Sequence, residues 1–187
     1  MRVIAGTYRS RILKSPKGSA LRPTSDRLRE TLFNVLAPGM EGSRFLDLFA
    51  GTGAIGIEAL SRGAAEVVFV ENHAAAVKLI QRNLESLAIR SGATVLGVDV
   101  LRGLEMLAER GKVEASRFNY IFLDPPYAAA AEYARVLQFS SLSSLLAPGG
   151  LLIAEHHRSC DLPEHAGPLP RVRVLKQGDA ALSFFRF

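Results

Sequence analysis

The chain of 187 residues carries a net charge of +5, and 48% of its residues are apolar. This length allows one domain with a full core and leaves little room for a second. The single cysteine, Cys160, excludes an intrachain disulfide, and no Cys/His spacing predicts a metal site. The longest apolar runs are the size of a strand, so neither a signal peptide nor a membrane helix is expected. We therefore expect a cytoplasmic protein that binds no metal and no membrane.

The positive charge lies almost entirely at the start of the chain. Residues 1–30 carry eight basic and two acidic side chains, whereas the other 157 residues carry 15 basic and 16 acidic ones. Such localised charge favours a polyanion, because neutralising phosphates releases counterions. A solvated basic arm without a partner is the alternative. The side chains that we expect to contact phosphates are Arg2, Arg9, Arg11, Lys14, Arg22 and Arg27.

The first predicted elements are a small β-hairpin and a helix. Residues 1–22 have the character of short strands, and we treat them as a basic hairpin appendage on a domain that spans residues 23–187. Pro23 breaks the chain between the two. Ser25 offers capping chemistry for a helix that reaches about Leu36.

From Arg44 onward, short apolar runs alternate with helical segments. The runs are Phe45–Phe49, Val67–Val70, Thr94–Val98, Tyr120–Leu123 and Leu151–Ala154. The segments with helical periodicity are Ile55–Ser61, Ala74–Ala88, Leu101–Arg110 and Ala129–Leu146. Strands that are apolar on both faces and separated by helices predict a parallel sheet covered on two sides.

The end of the chain has a different pattern. Arg171–Lys176 and Ala181–Phe187 alternate around a turn at Gln177-Gly178-Asp179, which predicts an antiparallel hairpin at the sheet edge. The expected fold is α/β, with a doubly wound, mostly parallel, Rossmann-like sheet of seven strands. We expect the aromatic cluster Phe184, Phe185 and Phe187 to belong to the core, and His156-His157 to lie at the surface.

A glycine-rich loop follows the first predicted strand. Gly51, Gly53 and Gly56 fit the pattern G-x-G-x-x-G, and such glycines allow a tight turn and the close approach of a ligand. Glu71 ends the next strand, where a carboxylate can accept hydrogen bonds from both hydroxyls of a ribose. Together these residues predict a site for an adenosine-containing ligand. A tight turn beside a surface glutamate is the alternative.

Two further acids favour S-adenosylmethionine over NAD or FAD. Asp47, at the end of the first strand, could meet the methionine ammonium and would repel a pyrophosphate; a carboxylate that braces the loop is the alternative. Asp99 could accept from the adenine amino group, but a helix cap at Leu101 explains it nearly as well. The candidate cofactor residues are Asp47, Ala50, Gly51, Thr52, Gly53, Glu71, Asp99 and Val100.

The motif Asp124-Pro125-Pro126-Tyr127 follows the fourth strand, at the sheet edge where α/β proteins bind ligands. The prolines remove N–H donors, so the Asp124 carboxylate and the Pro125 carbonyl remain as acceptors, and Tyr127 offers a face for stacking. An aromatic amino group needs such acceptors, because its lone pair must be oriented toward the methyl donor. We predict that these four residues are catalytic; an ordinary turn is the alternative.

The chain resembles the bacterial 16S ribosomal RNA guanine-N2 methyltransferases over nearly its whole length. The similar stretches are Arg2–Arg9, Leu21–Asn34, Asp47–Ala64, Asp124–Tyr127 and Lys176–Asp179. The resemblance implies a class I methyltransferase fold, S-adenosylmethionine as cofactor, and methylation of the N2 amino group of one guanosine. It also implies that the substrate is 16S ribosomal RNA within the small ribosomal subunit or a late assembly intermediate, docked by the basic segment.

Three alternatives remain open. The Asp-Pro-Pro-Tyr motif is shared with DNA adenine methyltransferases, so an adenine-N6 methyltransferase acting on DNA or another RNA is one. An NAD-dependent oxidoreductase and a non-catalytic RNA-binding assembly factor are the others, although neither explains the intact motif. We expect a monomer.

Replacing Arg9, Arg11 and Arg22 by alanine should weaken RNA association, because phosphate contacts and the release of counterions are lost. The measurement is the dissociation constant for 16S ribosomal RNA across a salt series. The slope of log K against log salt should fall by about one for each lost contact. Unchanged binding across the series would contradict the prediction.

Overall fold

The computed structural model describes residues 1–15, 25–110, 117–126 and 130–187. Its α-helices are α1 (Asp26–Leu36), α2 (Ala54–Ser61), α3 (Ala74–Ser86), α4 (Val100–Arg110) and α5 (Ala130–Leu137). Its β-strands are β1 (Arg44–Leu48), β2 (Glu66–Val70), β3 (Ala93–Leu96), β4 (Phe118–Leu123), β5 (Leu146–His157), β6 (His165–Ala166), β7 (Leu169–Gln177) and β8 (Ala180–Phe185).

These strands form one sheet in the order β3-β2-β1-β4-β5-β8-β7-β6. Strands β1 to β5 pair in parallel, and β8 and β7 add an antiparallel hairpin at one side. The predicted α/β sheet with a C-terminal hairpin is confirmed. The described sheet has an eighth strand, β6, whose two residues pair with β7 and are too few to give a signal in the sequence.

The strand order reverses beside β1, because β2 lies on one side of it and β4 on the other. Ligands of open α/β sheets bind at the carboxyl ends of the strands where the order reverses. The turn after β1 and the turn after β4 are therefore the two segments that border this crevice.

Helices cover both faces of the sheet because each central strand is apolar on both faces. Phe45 of β1 points into the cluster that contains side chains of α1, α2 and α3. Its neighbour Leu46 points into the opposite cluster, with side chains of α4 and α5. This alternation produces the doubly wound arrangement that the apolar runs predicted.

Three predictions about the second half of the chain are wrong. The helix predicted over Ala129–Leu146 ends at Leu137, and a 3-10 turn at Ser143–Leu145 leads into β5. The Ser144 hydroxyl donates to the Ser141 carbonyl at 2.7 Å, and serine side chains that bond the backbone in this way compete with helix formation.

The other two wrong predictions concern burial at the ends of strands. His156 is only 3% exposed, because β5 continues to His157 and places the His156 ring against β8, with Nε2 2.9 Å from the Ser183 hydroxyl. Phe184 and Phe185 belong to the core as predicted, but Phe187 lies past the end of β8 and is 79% exposed.

The N-terminal segment packs on the helical layer of α1 and α2. Within residues 1–15 the predicted hairpin is reduced to a single antiparallel bridge between Arg2 and Ile12. Val3 and Leu13 are buried in the same cluster as α1 and α2. The segment therefore shares the core of the sheet. The boundary at residue 22 lies outside the described residues, so the division of the chain into an appendage and a domain stays a prediction.

Gly56 on α2 lies against β2, where an added Cβ would overlap the Phe69 ring. Gly56→Ala should therefore lower the free energy of unfolding by about 1–3 kcal/mol through overpacking, as measured by urea denaturation. Gly97→Ala is the matched control, since its added Cβ would lie 3.7 Å from the nearest atom, in Val77. Equal stabilities of the two variants would refute the packing argument.

Candidate active site

The glycine-rich loop joins β1 to α2 through left-handed backbone conformations. Gly51 and Gly53 have φ angles of +54° and +76°, which glycine adopts without steric cost. Phe49 also has a positive φ of 60°, an uncommon conformation for a residue with a large side chain. Gly56 has a different role, because it allows close contact between α2 and β2.

Hydrogen bonds from neighbouring elements hold this loop in place. The Gly51 N–H donates to Glu71 Oε2 at 2.9 Å. The Gly53 N–H donates to the Ala50 carbonyl at 2.7 Å, and the Ala50 N–H donates to the Val70 carbonyl at 3.1 Å. The loop is therefore fixed to the end of β2 by hydrogen bonds.

Glu71 is buried at the carboxyl end of β2, with 8% of its surface exposed. Its Oε1 accepts from the His73 N–H at 2.8 Å, while Oε2 accepts from Gly51. Each carboxylate oxygen has a second lone pair, so Glu71 can still accept from two hydroxyl groups of a ligand. It is not the surface glutamate of the alternative interpretation.

Asp47 lies beneath the loop and is 2% exposed. Its Oδ2 accepts from the Gly56 N–H at 2.9 Å, which is the bracing role that the sequence left open. Burial raises the pKa of Asp47 to about 7, the Gly56 hydrogen bond opposes this rise, and the nearby Glu71 carboxylate adds to it. The contact of Asp47 with a ligand ammonium stays a prediction.

Asp99 precedes α4 and caps it. Its Oδ1 accepts from the Leu101 N–H at 3.0 Å and lies 3.3 Å from Arg135 Nη2 on α5. The capping role is therefore present, and the contact with an adenine amino group stays a prediction. Val100, the first residue of α4, is buried beside it.

Asp124 is the first residue after β4, at the sheet edge that also carries the glycine-rich loop. Leu123 of β4 is the register partner of Leu48 of β1, so the chain leaves both strands at the same edge. Pro125 is buried and Pro126 is exposed. Tyr127 lies outside the described residues. The topology thus places three of the four predicted catalytic residues at the edge that carries the loop.

The predicted phosphate contacts are solvent-exposed wherever they are described. These exposed side chains are Arg2, Arg9, Arg11, Lys14 and Arg27. Arg22 lies outside the described residues. Arg29, another cation of this segment, is fully buried: its Nη2 donates to the Arg2 carbonyl at 2.6 Å and to Asp26 at 2.9 Å. Burial lowers the pKa of Arg29, and this side chain cannot reach a phosphate at the surface.

Two buried polar residues were missed by the sequence analysis. Glu58 on α2 is fully buried and accepts from the N–H groups of Ile4 and Ala5 at 2.8 and 3.0 Å. Asn83 on α3 is also fully buried and bonds to Lys14 and Thr52. Glu58 had a signal, because it is a charged residue inside the apolar helix α2, which is rare unless the group is paired; Asn83 had none, because its neighbours in α3 are polar.

Within the part of the chain that the structure describes, the geometry shows neither a metal site nor a membrane span. Among the described residues, His, Cys, Asp and Glu side chains form no group of three or more that could hold a metal ion. None of the described helices has the length and apolar character needed to cross a bilayer.

The chain is similar to proteins with methyltransferase names. It matches the family described as Conserved hypothetical protein 95 over residues 1–186. "Putative rRNA methyltransferase YlbH" of Bacillus subtilis (strain 168) is 38% identical over 186 residues, which is 100% of this chain and 98% of the relative. "Ribosomal RNA small subunit methyltransferase D" of Escherichia coli (strain K12) is 40% identical over 127 residues, 68% of this chain and 60% of the relative.

Solved structures show the same fold. "Putative methyltransferase yhhF from Escherichia coli" superposes with a TM-score of 0.77 at 32% identity, covering 99% of this chain and 96% of that one. "Crystal structure of SMU.776, a putative methyltransferase complexed with SAH" gives a TM-score of 0.66 at 15% identity over 84% of this chain and 48% of that one.

The sheet order, the glycine-rich loop and these similarities define a class I methyltransferase fold. The chain belongs to the family of small-subunit ribosomal RNA methyltransferase D and YlbH. The family predicted from the sequence is thereby confirmed.

The raised pKa of Asp47 predicts how stability depends on pH. Between pH 3.8 and about 7 the folded protein keeps a proton that the unfolded chain has released, so this group lowers the free energy of unfolding as pH rises through that window. Asp47→Asn keeps an acceptor for Gly56 and carries no charge. The free energy of unfolding of this variant, minus that of wild type, should therefore increase as pH rises through the window, by no more than about 4 kcal/mol.

The measurement is urea denaturation of both proteins at about pH 5 and about pH 8. Glu85→Gln, at an exposed position of α3, makes the same type of change away from the loop and should show little difference between the two pH values. If Asp47→Asn and wild type differ in free energy of unfolding by the same amount at both pH values, Asp47 does not titrate in this window.

Proposed function

We propose that this chain transfers a methyl group from S-adenosylmethionine to the exocyclic N2 amino group of a specific guanosine in 16S ribosomal RNA of the small ribosomal subunit. The observation that carries the proposal is the shared edge of β1 and β4, which brings Asp124 beside the glycine-rich loop. The names of the relatives from Bacillus subtilis and Escherichia coli support ribosomal RNA as the substrate.

The residues around the loop fit the parts of S-adenosylmethionine. Gly51 has open space beside its backbone through which a ligand can approach, and Glu71 has lone pairs left for two ribose hydroxyls. Asp47 is suited to the methionine ammonium, because a cation nearby favours the charged form of a buried carboxyl. Asp99, which lies between β3 and α4, is suited to the adenine amino group. When bound, the cofactor supplies an electrophilic methyl group on a sulfonium.

The chemistry at Asp124 consists of holding an amino group and removing its proton. The Asp124 carboxylate and the Pro125 carbonyl accept from the two N–H bonds of the guanine amino group, which orients the nitrogen lone pair toward the methyl group. After transfer the amine is cationic, and one proton passes to Asp124 or to water. Tyr127 would stack on the base.

The RNA substrate must present an unpaired base. The amino group is hidden within a stacked helix, so the target guanosine has to be turned out of the stack and into the crevice. The exposed cations of residues 1–15 supply contacts to the phosphates that flank this guanosine. An assembled subunit or a late assembly intermediate holds the RNA in the required shape.

The proposed substrate is tested with small ribosomal subunits purified from cells that lack this protein. Incubation with the protein and S-adenosylmethionine, followed by nucleoside mass spectrometry, should yield one N2-methylguanosine per subunit. N6-methyladenosine as the product would instead establish the alternative adenine-N6 activity. Methylation of DNA in place of RNA would likewise overturn the proposal.

Asp124→Ala should lower the rate of methyl transfer by at least about 100-fold while the affinity for S-adenosylhomocysteine persists, because the variant loses an acceptor at the amino group and not at the loop. The measurement is incorporation of radiolabelled methyl groups, paired with calorimetry. Asp161→Ala is the control, since this side chain is 95% exposed and lies beyond β5. Transfer by Asp124→Ala at near wild-type rate would refute the assigned role.

A further inference from the structure

We propose that Asn83 is a positioning residue that joins the basic N-terminal segment to the cofactor loop, so that RNA binding and cofactor binding strengthen one another. The part of this inference that concerns the cofactor rests on the geometry of the loop, and the part that concerns RNA rests on the function proposed above.

Asn83 uses its whole amide group to join two distant segments. Its Oδ1 accepts from the Lys14 N–H at 2.8 Å, and its Nδ2 donates to the carbonyls of Lys14 and Thr52 at 3.1 and 3.0 Å. The residue is fully buried on α3, so water cannot replace these bonds. Loss of the amide would leave backbone groups of both segments unsatisfied, which is costlier than loss of an exposed hydrogen bond.

On the loop side, Asn83 fixes one peptide plane. The Thr52 carbonyl accepts from Asn83, and the N–H of the same peptide, that of Gly53, donates to Ala50. Gly53 has a φ of +76° and precedes the first residue of α2. Both ends of this peptide are thus held, and the amide of Asn83 sets the orientation of the loop between its two glycines.

In the N-terminal segment, the Asn83 amide holds the backbone of Lys14. Both the N–H and the carbonyl of Lys14 bond to Asn83, while the Lys14 side chain is exposed to solvent. The rest of the segment follows α2: the Ser61 hydroxyl donates to the Ala5 carbonyl at 2.5 Å, and the Tyr8 N–H donates to Ser61 at 2.9 Å. A phosphate bound by Lys14 would therefore favour the conformation in which Asn83 holds Thr52.

Two sites that favour one conformation of a shared element are thermodynamically coupled, and the coupling is reciprocal. RNA should raise the affinity for the cofactor by the same factor by which the cofactor raises the affinity for RNA. We expect this factor to be about fivefold or more in the wild-type protein and close to one when the Asn83 donor is removed.

Asn83→Asp is the test variant, because it keeps the shape and the acceptor for Lys14 but loses both N–H donors. Gln81→Glu is the matched control, since it makes the same amide-to-carboxylate change at an exposed position of α3. The full chain is titrated with S-adenosylhomocysteine by calorimetry, alone and in the presence of small ribosomal subunits from cells lacking this protein. Thermal unfolding establishes that each variant is folded, and Asn83→Ser replaces Asn83→Asp if the buried charge prevents folding.

In the absence of RNA, we expect the affinity for S-adenosylhomocysteine to be about tenfold weaker in the Asn83 variant than in wild type and to be unchanged in Gln81→Glu. RNA should strengthen cofactor binding in wild type and in Gln81→Glu but not in the Asn83 variant. An Asn83 variant with wild-type affinity and wild-type coupling would overturn the inference while leaving the proposed function intact. Failure of the wild-type protein to bind S-adenosylhomocysteine at all would instead remove the proposed function.

Discussion

The parallel pairing of β1 with β4 is the constraint on which the site depends. Their register brings Leu48 beside Leu123, so the segment after each strand emerges at the same edge of the sheet. One of these segments is a glycine-rich loop without bulk at its turns, and the other begins with an acid followed by two prolines. Without this pairing, the loop that suits a methyl donor and the acceptors that suit an amino group would be separate features of the surface.

Buried polar side chains hold the loops around this edge. Asp47 bonds to the backbone of Gly56 in the first turn of α2, whereas Glu71, Glu58 and Asn83 bond to backbone groups of loops and of the N-terminal segment. Each of them satisfies groups that would otherwise be buried without a partner, and each is itself satisfied in return. The geometry of the crevice is therefore set by a few side chains on α2, α3 and the strand ends.

The sequence predicted the elements whose signal is local. Short apolar runs located the parallel strands, and Gly51, Gly53 and Gly56 located the loop, because periodicity and left-handed turns depend on neighbouring residues. The roles of Glu58 and Asn83 could not be predicted, since their partners lie 54 and 69 residues away along the chain and are backbone groups that carry no sequence signature. Asp99 shows the reverse case: both of its predicted roles fit one position, and the structure shows the cap, in which the Leu101 N–H donates to the Asp99 carboxylate.

Arg29 has a practical consequence for handling this protein. Its hydrogen bond to the Arg2 carbonyl holds the start of the chain, and the guanidinium that donates it is fully buried, where dissolved salt screens charges far less than it does at the surface. If the exposed arginines bind RNA as proposed above, concentrated salt should strip that RNA and leave the fold of the segment unchanged. A high-salt wash during purification would then deliver protein that is free of carried-over RNA and still folded once the buffer is diluted.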